Sequence, residues 1–419
     1  MDSVVAEISG RVKAGTLAIL DERPGRAVSA AYAALAAAHG GLYIVADRSE
    51  STTLQHIADG SGRNVADLGL ALENVRTLVS FGAPVLESWA TPGRVLTPWK
   101  QKQLAIVQVE ADLSKTAALA SKWLPVRAGS EASIASFLAG KIGIAEAAQA
   151  TGVPSDKLAD AMRFIHDRGP WLAVSGGGFA QAVEQSIAGL NAGSSAVVAR
   201  AASPAPGTRL SQLPNGSVDV LLVDHGLLGG SVPYDSLRSK LRPDGIIVSL
   251  SPYRAGVAAL ANFVIPTPAF AESLDEAPTP WDAVSPSYAL APAILDPPAG
   301  VTTALEFINR VTGADAAPEA LIRAKVEGLY TAKRGDVFTF ADRTTKPVTE
   351  FKSSTDLYKA FTTGACWIDQ DAKVVAINYH ADHSATRPFV SEPRLLRSGC
   401  AISPPLFTKL TQESRLGRA

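Results

Sequence analysis

The tightest constraint on this chain is a set of short apolar runs that each end in a glycine turn or an acid, packed most closely between Arg76 and Glu131. Thr77-Leu78-Val79-Ser80-Phe81 reads as a buried strand and runs into the turn Gly82-Ala83-Pro84, then Val85-Leu86-Glu87-Ser88-Trp89. Leu104 to Val109 is a second strand, closed by Glu110, and Trp123 to Glu131 opens a helix. Strand, glycine turn, helix and acid-ended strand together have the pattern of a nucleotide-binding half-unit. The glycine lets a backbone approach a ligand closely, and the acid can accept from a hydroxyl or an amino-bearing ring.

The same alternation runs through most of the chain. Val4, Val5, Ile8 and Val12 recur at helical spacing over Met1 to Ala14. Thr16 to Leu20 is a strand, Ser29 to His39 an alanine-rich helix stopped by Gly40-Gly41, and Leu42 to Val45 the next strand. Such a unit predicts parallel pairing with a right-handed crossover. Ser49 to Arg63 reads as a surface loop or short helix and Val65 to Asn74 as a helix, while Pro92-Gly93 and Thr97-Pro98 break the chain. Helices are expected over Ser130 to Gly140, Ile144 to Thr151 and Pro154 to Asp167. Pro170 to Ser175 is a strand that enters Gly176-Gly177-Gly178, with a helix from Phe179 to Asn191. Ala201 to Gly216 is a linker or surface loop. Further strands are expected at Val218 to Val223, Gly245 to Leu250 and Phe263 to Pro266, with helices over Val232 to Leu241 and from Val257. Thr267 to Pro298 is proline-punctuated and extended, and Gly300 to Gly313 holds one more helix. Beyond it the alternation stops. A helix over Pro318 to Leu329, short strands near Val337 to Phe340 and Val374 to Ile377, and a polar tail make an irregular C-terminal segment.

These elements predict an α/β chain of two doubly wound, mostly parallel lobes. One is discontinuous, over residues 1–63 and 215–313; the other spans 64–214 and carries the nucleotide-type loops; residues 314–419 follow. A length of 419 residues permits that much core. The net charge of -1 and scattered Arg and Lys argue against nucleic acid or an anionic membrane as a partner. No apolar run reaches the roughly 20 residues that cross a bilayer, and the polar N-terminus is unlike a secretory signal. Cys366 and Cys400 form no C-x-x-C, which argues against an iron–sulfur cluster or structural zinc held by this chain alone.

Three segments, in order, resemble the molybdopterin oxidoreductase superfamily. Leu78-Val79-Ser80-Phe81-Gly82-Ala83 followed by Leu86-Glu87-Ser88-Trp89 is the first. Gln108-Val109-Glu110, Thr116-Ala117-Ala118 and Trp123-Leu124-Pro125-Val126-Arg127-Ala128-Gly129-Ser130-Glu131 make the second. Val248-Ser249-Leu250-Ser251-Pro252, Ala259 to Pro266 and Phe270-Ala271-Glu272-Ser273 make the third. Ser403 to Ser414 looks like the closing stretch of membrane-complex members, such as polysulfide-reductase-like enzymes and the molybdopterin-like subunit of alternative complex III. The likeness covers Leu17 to Gly313 and that last segment. It implies Gly82, Glu110, the Gly129-Ser130-Glu131 loop and Gly176-Gly177 as positions facing a molybdopterin guanine dinucleotide. Ser130 and Glu131 have a second reading, as the cap and charge complement of the helix they begin.

The departures from the family shape the functional expectation. The four-cysteine iron–sulfur domain that opens family members is missing from the sequence. The loop after the second strand, Ala46-Asp47-Arg48-Ser49-Glu50-Ser51, offers Asp47, Ser49 or Ser51 where members place a metal ligand, and such residues are also ordinary turn formers. No pterin-capping barrel is recognisable after Gly313. The leading expectation is a cofactor-depleted subunit with no metal. It would scaffold a membrane-associated electron-transfer complex beside an iron–sulfur subunit, an integral membrane quinone-reactive subunit and cytochrome c subunits, and reach the membrane through them. The alternative is an active oxidoreductase that binds molybdopterin guanine dinucleotide and is completed by a separate iron–sulfur polypeptide. A dehydrogenase is disfavoured, because Asp21-Glu22-Arg23-Pro24-Gly25 is not G-x-G-x-x-G and its acids repel a pyrophosphate. Three further groups stand out. Asp224-His225-Gly226 at a strand tip is a candidate proton-handling pair. His380-Ala381-Asp382-His383 is a solvated turn or a metal pair. Glu272 is an N-cap or a loop anchor, and Trp89 a core or interface residue.

Overall fold

The computed structural model describes residues 2–46, 51–63, 65–200, 207–225, 232–377 and 379. The chain divides into two compact units. One comprises Met1–Asp47, Pro204–Pro280 and Ser285–Ala372; the other comprises Arg48–Ser203, Trp281–Val284 and Lys373–Ala419.

In the first unit a parallel sheet runs in the order Phe263–Pro266, Leu241–Ser251, Val218–Asp224, Leu17–Asp21, Leu42–Val45, Thr208–Arg209. Its central strands Leu17–Asp21 and Val218–Asp224 are apolar on both faces, as a sheet covered on both sides requires. Leu17 and Ile19 join one core with Ile8 and Val12 of the helix Asp2–Ala14, Tyr32 of the helix Ala27–Ala38, and Phe307 of the helix Ala304–Thr312. Ala18 and Leu20, pointing the other way, pack with Leu221, Val223 and Leu237. An antiparallel sheet in the same unit has the order Asp275–Pro278, Ser287–Ala291, Ala365–Ile368, Asp336–Thr339, Thr344–Pro347. Its core gathers Tyr288, Val326, Val337, Leu357 and Phe361, with the helices Pro318–Ala332 and Ser354–Thr362 supplying the second layer. The proline-rich path through Thr267 to Pro298 therefore contains a hairpin. The segment after Gly313 contains a helical and stranded layer that closes on that hairpin.

In the second unit a parallel sheet has the order Lys122–Pro125, Ala105–Glu110, Thr77–Phe81, Trp171–Ser175. Its faces again split the sequence by alternation. Leu78, Ile106 and Leu172 pack with Trp89, Leu54 and Ile57; Val79, Val107 and Ala173 pack with Ile134, Leu158, Val183 and Ile187. A small antiparallel sheet runs Val374–Ala376, Val197–Arg200, Leu68–Leu70.

Three local expectations change. Val65 to Asn74 is not one helix: two 3-10 turns flank the strand Leu68–Leu70, which pairs with residues 197–199 far along the chain. Pro92–Lys100 is a helix, because Pro92 stands in the first turn, where a missing N–H costs nothing, and only Pro98 interrupts the ladder. Lys122–Pro125 is an edge strand whose closing proline makes no ladder bond on its open side. The polar stretch from Ser49 resolves, from Thr52 to Ser61, into a helix.

Candidate functional site

Ligands of doubly wound sheets bind at the carboxyl ends of the strands, where the strand order reverses. In the first unit that point lies between Leu17–Asp21, from which the chain winds one way, and Val218–Asp224, from which it winds the other. The register sets Asp21 beside Asp224. Two carboxylates side by side in a buried place need a cation, and the chain supplies Arg26 from the loop between strand and helix. Arg26 Nη2 donates to Asp21 Oδ1 at 2.8 Å and to Asp224 Oδ2 at 2.7 Å. Ser29 Oγ (2.6 Å) and Tyr43 OH (3.0 Å) donate to Asp21 Oδ2, and Tyr32 OH donates to Asp224 Oδ2 at 2.9 Å.

The electrostatics follow from this geometry. Burial pushes the Asp21 carboxyl up, but Arg26, the Ser29 hydroxyl and the Arg23 N–H outweigh it, and its pKa sits below the ordinary carboxylate value. Burial pulls Arg26 down, and the two carboxylates more than reverse that, so it stays charged. Burial and the neighbouring carboxylates raise the phenols of Tyr32 and Tyr43, which remain donors. One residue further along, Glu22 and His225 meet in a buried pair, with Oε1 3.5 Å from Nδ1. Neither imidazole nitrogen has a hydrogen-bond partner among the described residues. Gly226 lies outside the described residues.

In the second unit the reversal falls between Thr77–Phe81 and Trp171–Ser175, where Gly82, Gly176 and Gly177 stand. Gly82 and Gly177 have φ of 63° and 74°, conformations that other residues pay to adopt. Gly176 is glycine because the turns pack backbone to backbone: a Cβ there would collide with the Gly82 carbonyl oxygen. The turn donors are taken. The N–H of Gly82 bonds Val109 O at 3.1 Å, and that of Gly176 bonds Phe81 O at 2.9 Å. The N–H of Ala83 bonds Ser80 Oγ at 3.2 Å, and that of Gly177 bonds Ser175 Oγ at 2.9 Å. Phe179 N–H, just before the helix Gln181–Gly189, bonds the buried Glu184 carboxylate at 3.0 Å.

Of the other positions named from the sequence, Glu110 and the Gly129-Ser130-Glu131 loop follow neighbouring strands of the same sheet. Glu110 accepts from Gln108 Nε2 at 3.0 Å and from the Ser114 hydroxyl. Gln108 Nε2 also reaches Ala83 O at 3.3 Å, which ties Glu110 to the Gly82 turn. Gly129, Ser130 and Glu131 follow Lys122–Pro125, two strands from the Gly82 turn. Gly129 has φ 87°, and Glu131 is buried in the first turn of the helix Glu131–Leu138. Ser130 Oγ donates to Arg127 O at 2.6 Å and does not cap that helix. Trp89 is core, edge-on to Trp281 with ring centroids 5.4 Å apart. Glu272 anchors a loop by accepting from Ala269 N–H at 2.7 Å. Ser51 is buried. Asp47, Ser49, Cys400 and the group His380, Asp382 and His383 lie outside the described residues. Among the described residues no cluster of three His, Cys, Asp or Glu could hold a metal, and no helix is long and apolar enough to cross a membrane.

Sequence reasoning noticed Asp224 and His225 and missed the role of Arg26. The available signal was an aspartate at the tip of two separate strands, with an arginine, a serine and two tyrosines close behind the first.

No protein-family model and no curated protein matches the sequence. Among solved structures, the chain is similar to acetylene hydratase from Pelobacter acetylenicus, with TM-score 0.58 and 11% identity over 88% of this chain and 63% of the hydratase. It thus spans less than two thirds of that protein. A chain of the formyltransferase/hydrolase complex from Methylorubrum extorquens, solved with methylofuran, aligns with TM-score 0.40 and 14% identity over 78% of this chain and 97% of that one. The two parallel sheets and the similarity to the hydratase give this chain a mixed α/β fold like that of the hydratase.

Proposed function

We propose that the chain is a subunit that keeps a molybdopterin-oxidoreductase-like fold without holding the pterin and serves as a scaffold within a multi-subunit complex. The observation that supports this most directly is the state of the turn donors in the second unit. The phosphates of a pterin dinucleotide call for free backbone N–H groups at a helix N-terminus. Here the N–H groups of Gly82, Ala83, Gly176, Gly177 and Phe179 all have acceptors within the chain. Glu184 adds a buried carboxylate in the first turn of the helix Gln181–Gly189, so an anion brought to that helix start meets like-charge repulsion in a low-dielectric place. The donor set does not fit the group. Gly82, Gly176 and Gly177 then serve as tight turns, and Glu110, Gly129, Ser130 and Glu131 as supports of the loops around them.

The reversal point of the first unit is closed in the same manner by the Arg26 triad. A chain whose own groups satisfy the turn donors of one reversal point and the carboxylates of the other keeps its surfaces as its means of action. The partners to seek are those the resemblance implies, an iron–sulfur subunit and an integral membrane quinone-reactive subunit, through which the chain would reach a membrane. Affinity purification from the native cell followed by elemental analysis tests the proposal. The expected result is partner subunits in fixed stoichiometry, with Mo and W far below one atom per chain. Stoichiometric Mo or W would replace it with the active-oxidoreductase reading, and elution of the chain alone would remove the scaffold role.

A further inference from the structure

Four residues depart from the run of the chain around them. Trp281–Val284 group with the Arg48–Ser203 unit, although Pro204–Pro280 before them and Ser285–Ala372 after them group with the other. They form the tip of the hairpin Asp275–Pro278/Ser287–Ala291. The base of that tip is closed by Thr279 Oγ1, which donates to Ser287 O and accepts from Ser287 N–H, both at 3.0 Å.

The seat of the tip is built from several independent contacts. The Asp282 side chain is 1% exposed. It accepts from Thr91 Oγ1 at 2.8 Å, from Thr91 N–H at 3.3 Å and from Arg94 Nη1 at 3.0 Å. Leu70 N–H donates to Asp282 O at 3.1 Å, so the tip takes the edge of Leu68–Leu70 that no strand covers among the described residues. The Asp282 carbonyl also accepts from Arg94 Nη1. Arg94 Nη2 reaches back to Leu70 O at 2.7 Å, and Arg200 Nη2 bonds Leu68 O at 2.5 Å and Trp281 O at 3.5 Å. Trp281 lies edge-on against the buried Trp89. Gly69 has no side chain where the tip passes: a Cβ there would collide with the Ala283 carbonyl oxygen.

We propose that the hairpin tip is a latch: Leu68–Leu70 and the helix Pro92–Lys100 keep their native structure only while Trp281–Val284 is seated. A strand with an open edge and a short helix carrying an internal proline are weak alone. The latch supplies an edge partner for Leu68–Leu70 and a second, buried carboxylate for Arg94, which also pairs with the exposed Glu73 at 2.7 Å. The stability of Leu68–Leu70 and of the helix Pro92–Lys100 thereby becomes conditional on a segment that lies about 190 residues further along the chain.

Hydrogen–deuterium exchange of the full chain tests this with variants on either side of the contact. Asp282→Ala removes the latch charge, and Gly69→Ala blocks the seat without altering the tip. Both are expected to speed exchange about tenfold or more in residues 68–71 and 91–101 and to leave 17–21 and 218–224 as in wild type. Asp282→Asn, which keeps the volume, serves if Asp282→Ala does not fold. Unchanged protection at 68–71 and 91–101, or an equal loss of protection throughout the chain, would overturn the latch.

Discussion

Arg26 holds two aspartates that arrive from opposite directions of the winding, 5 and 198 residues away. Removing it leaves two buried carboxylates without a cation, so Arg26→Met is expected to cost about 3–5 kcal/mol, read as a fall in the urea midpoint. Asp21 carries a pH signature. Its folded-state pKa lies below the unfolded value of 3.8, so its stabilisation is complete above that value and is lost as pH falls through the folded pKa. The stability difference between wild type and Asp21→Asn should be constant at neutral pH and shrink below about pH 4. A difference that grows with acid would contradict the assignment. The aspartates were legible in the sequence as polar strand tips. Their pairing was not, because it depends on the register of two strands that no local pattern brings together.

At the scale of elements, the strands and the long amphipathic helices follow from alternation and caps. The helix Ala304–Thr312 begins with Thr303 and Glu306 in a reciprocal capping box and ends at Gly313 with φ 78°. Thr303→Ala should cost about 1 kcal/mol in thermal or urea unfolding. Gly176→Ala forces a methyl group into the backbone of the neighbouring turn and should cost about 1–3 kcal/mol by the same measurement. An unchanged midpoint would mean that the two turns do not touch. Misreadings gathered where pairing overrides local preference. Leu68–Leu70 is three residues long with a glycine at its centre, too little to announce a strand, and residues 197–199 make it one. The prolines near Pro92 read as breaks because the sequence does not say which of them falls in a first turn.

At the scale of the whole molecule, two bodies share one chain that passes between them several times. Under the proposed scaffold role, association with other subunits is expected to leave the buried triad and the glycine turns unchanged and to alter exposed segments. Phe270, Ile294 and Leu295, 79%, 76% and 59% exposed, are the natural place to look. Backbone bonds from Ile294 and Leu295 N–H to Ala271 O hold them together. Comparing exchange protection of residues 268–273 and 292–296 in the isolated chain and in the purified complex checks this, with greater protection expected in the complex. The sequence by itself determined the α/β class and the parallel sheets, because both-faced apolar runs, glycine turns and helical spacing are local signals. Only the tertiary structure decided that Arg26 joins Asp21 to Asp224, that Glu184 accepts from Phe179 N–H, and that Trp281–Val284 group with the other unit. Those facts depend on contacts between residues far apart in the chain, and long-range contact is what a local pattern does not encode.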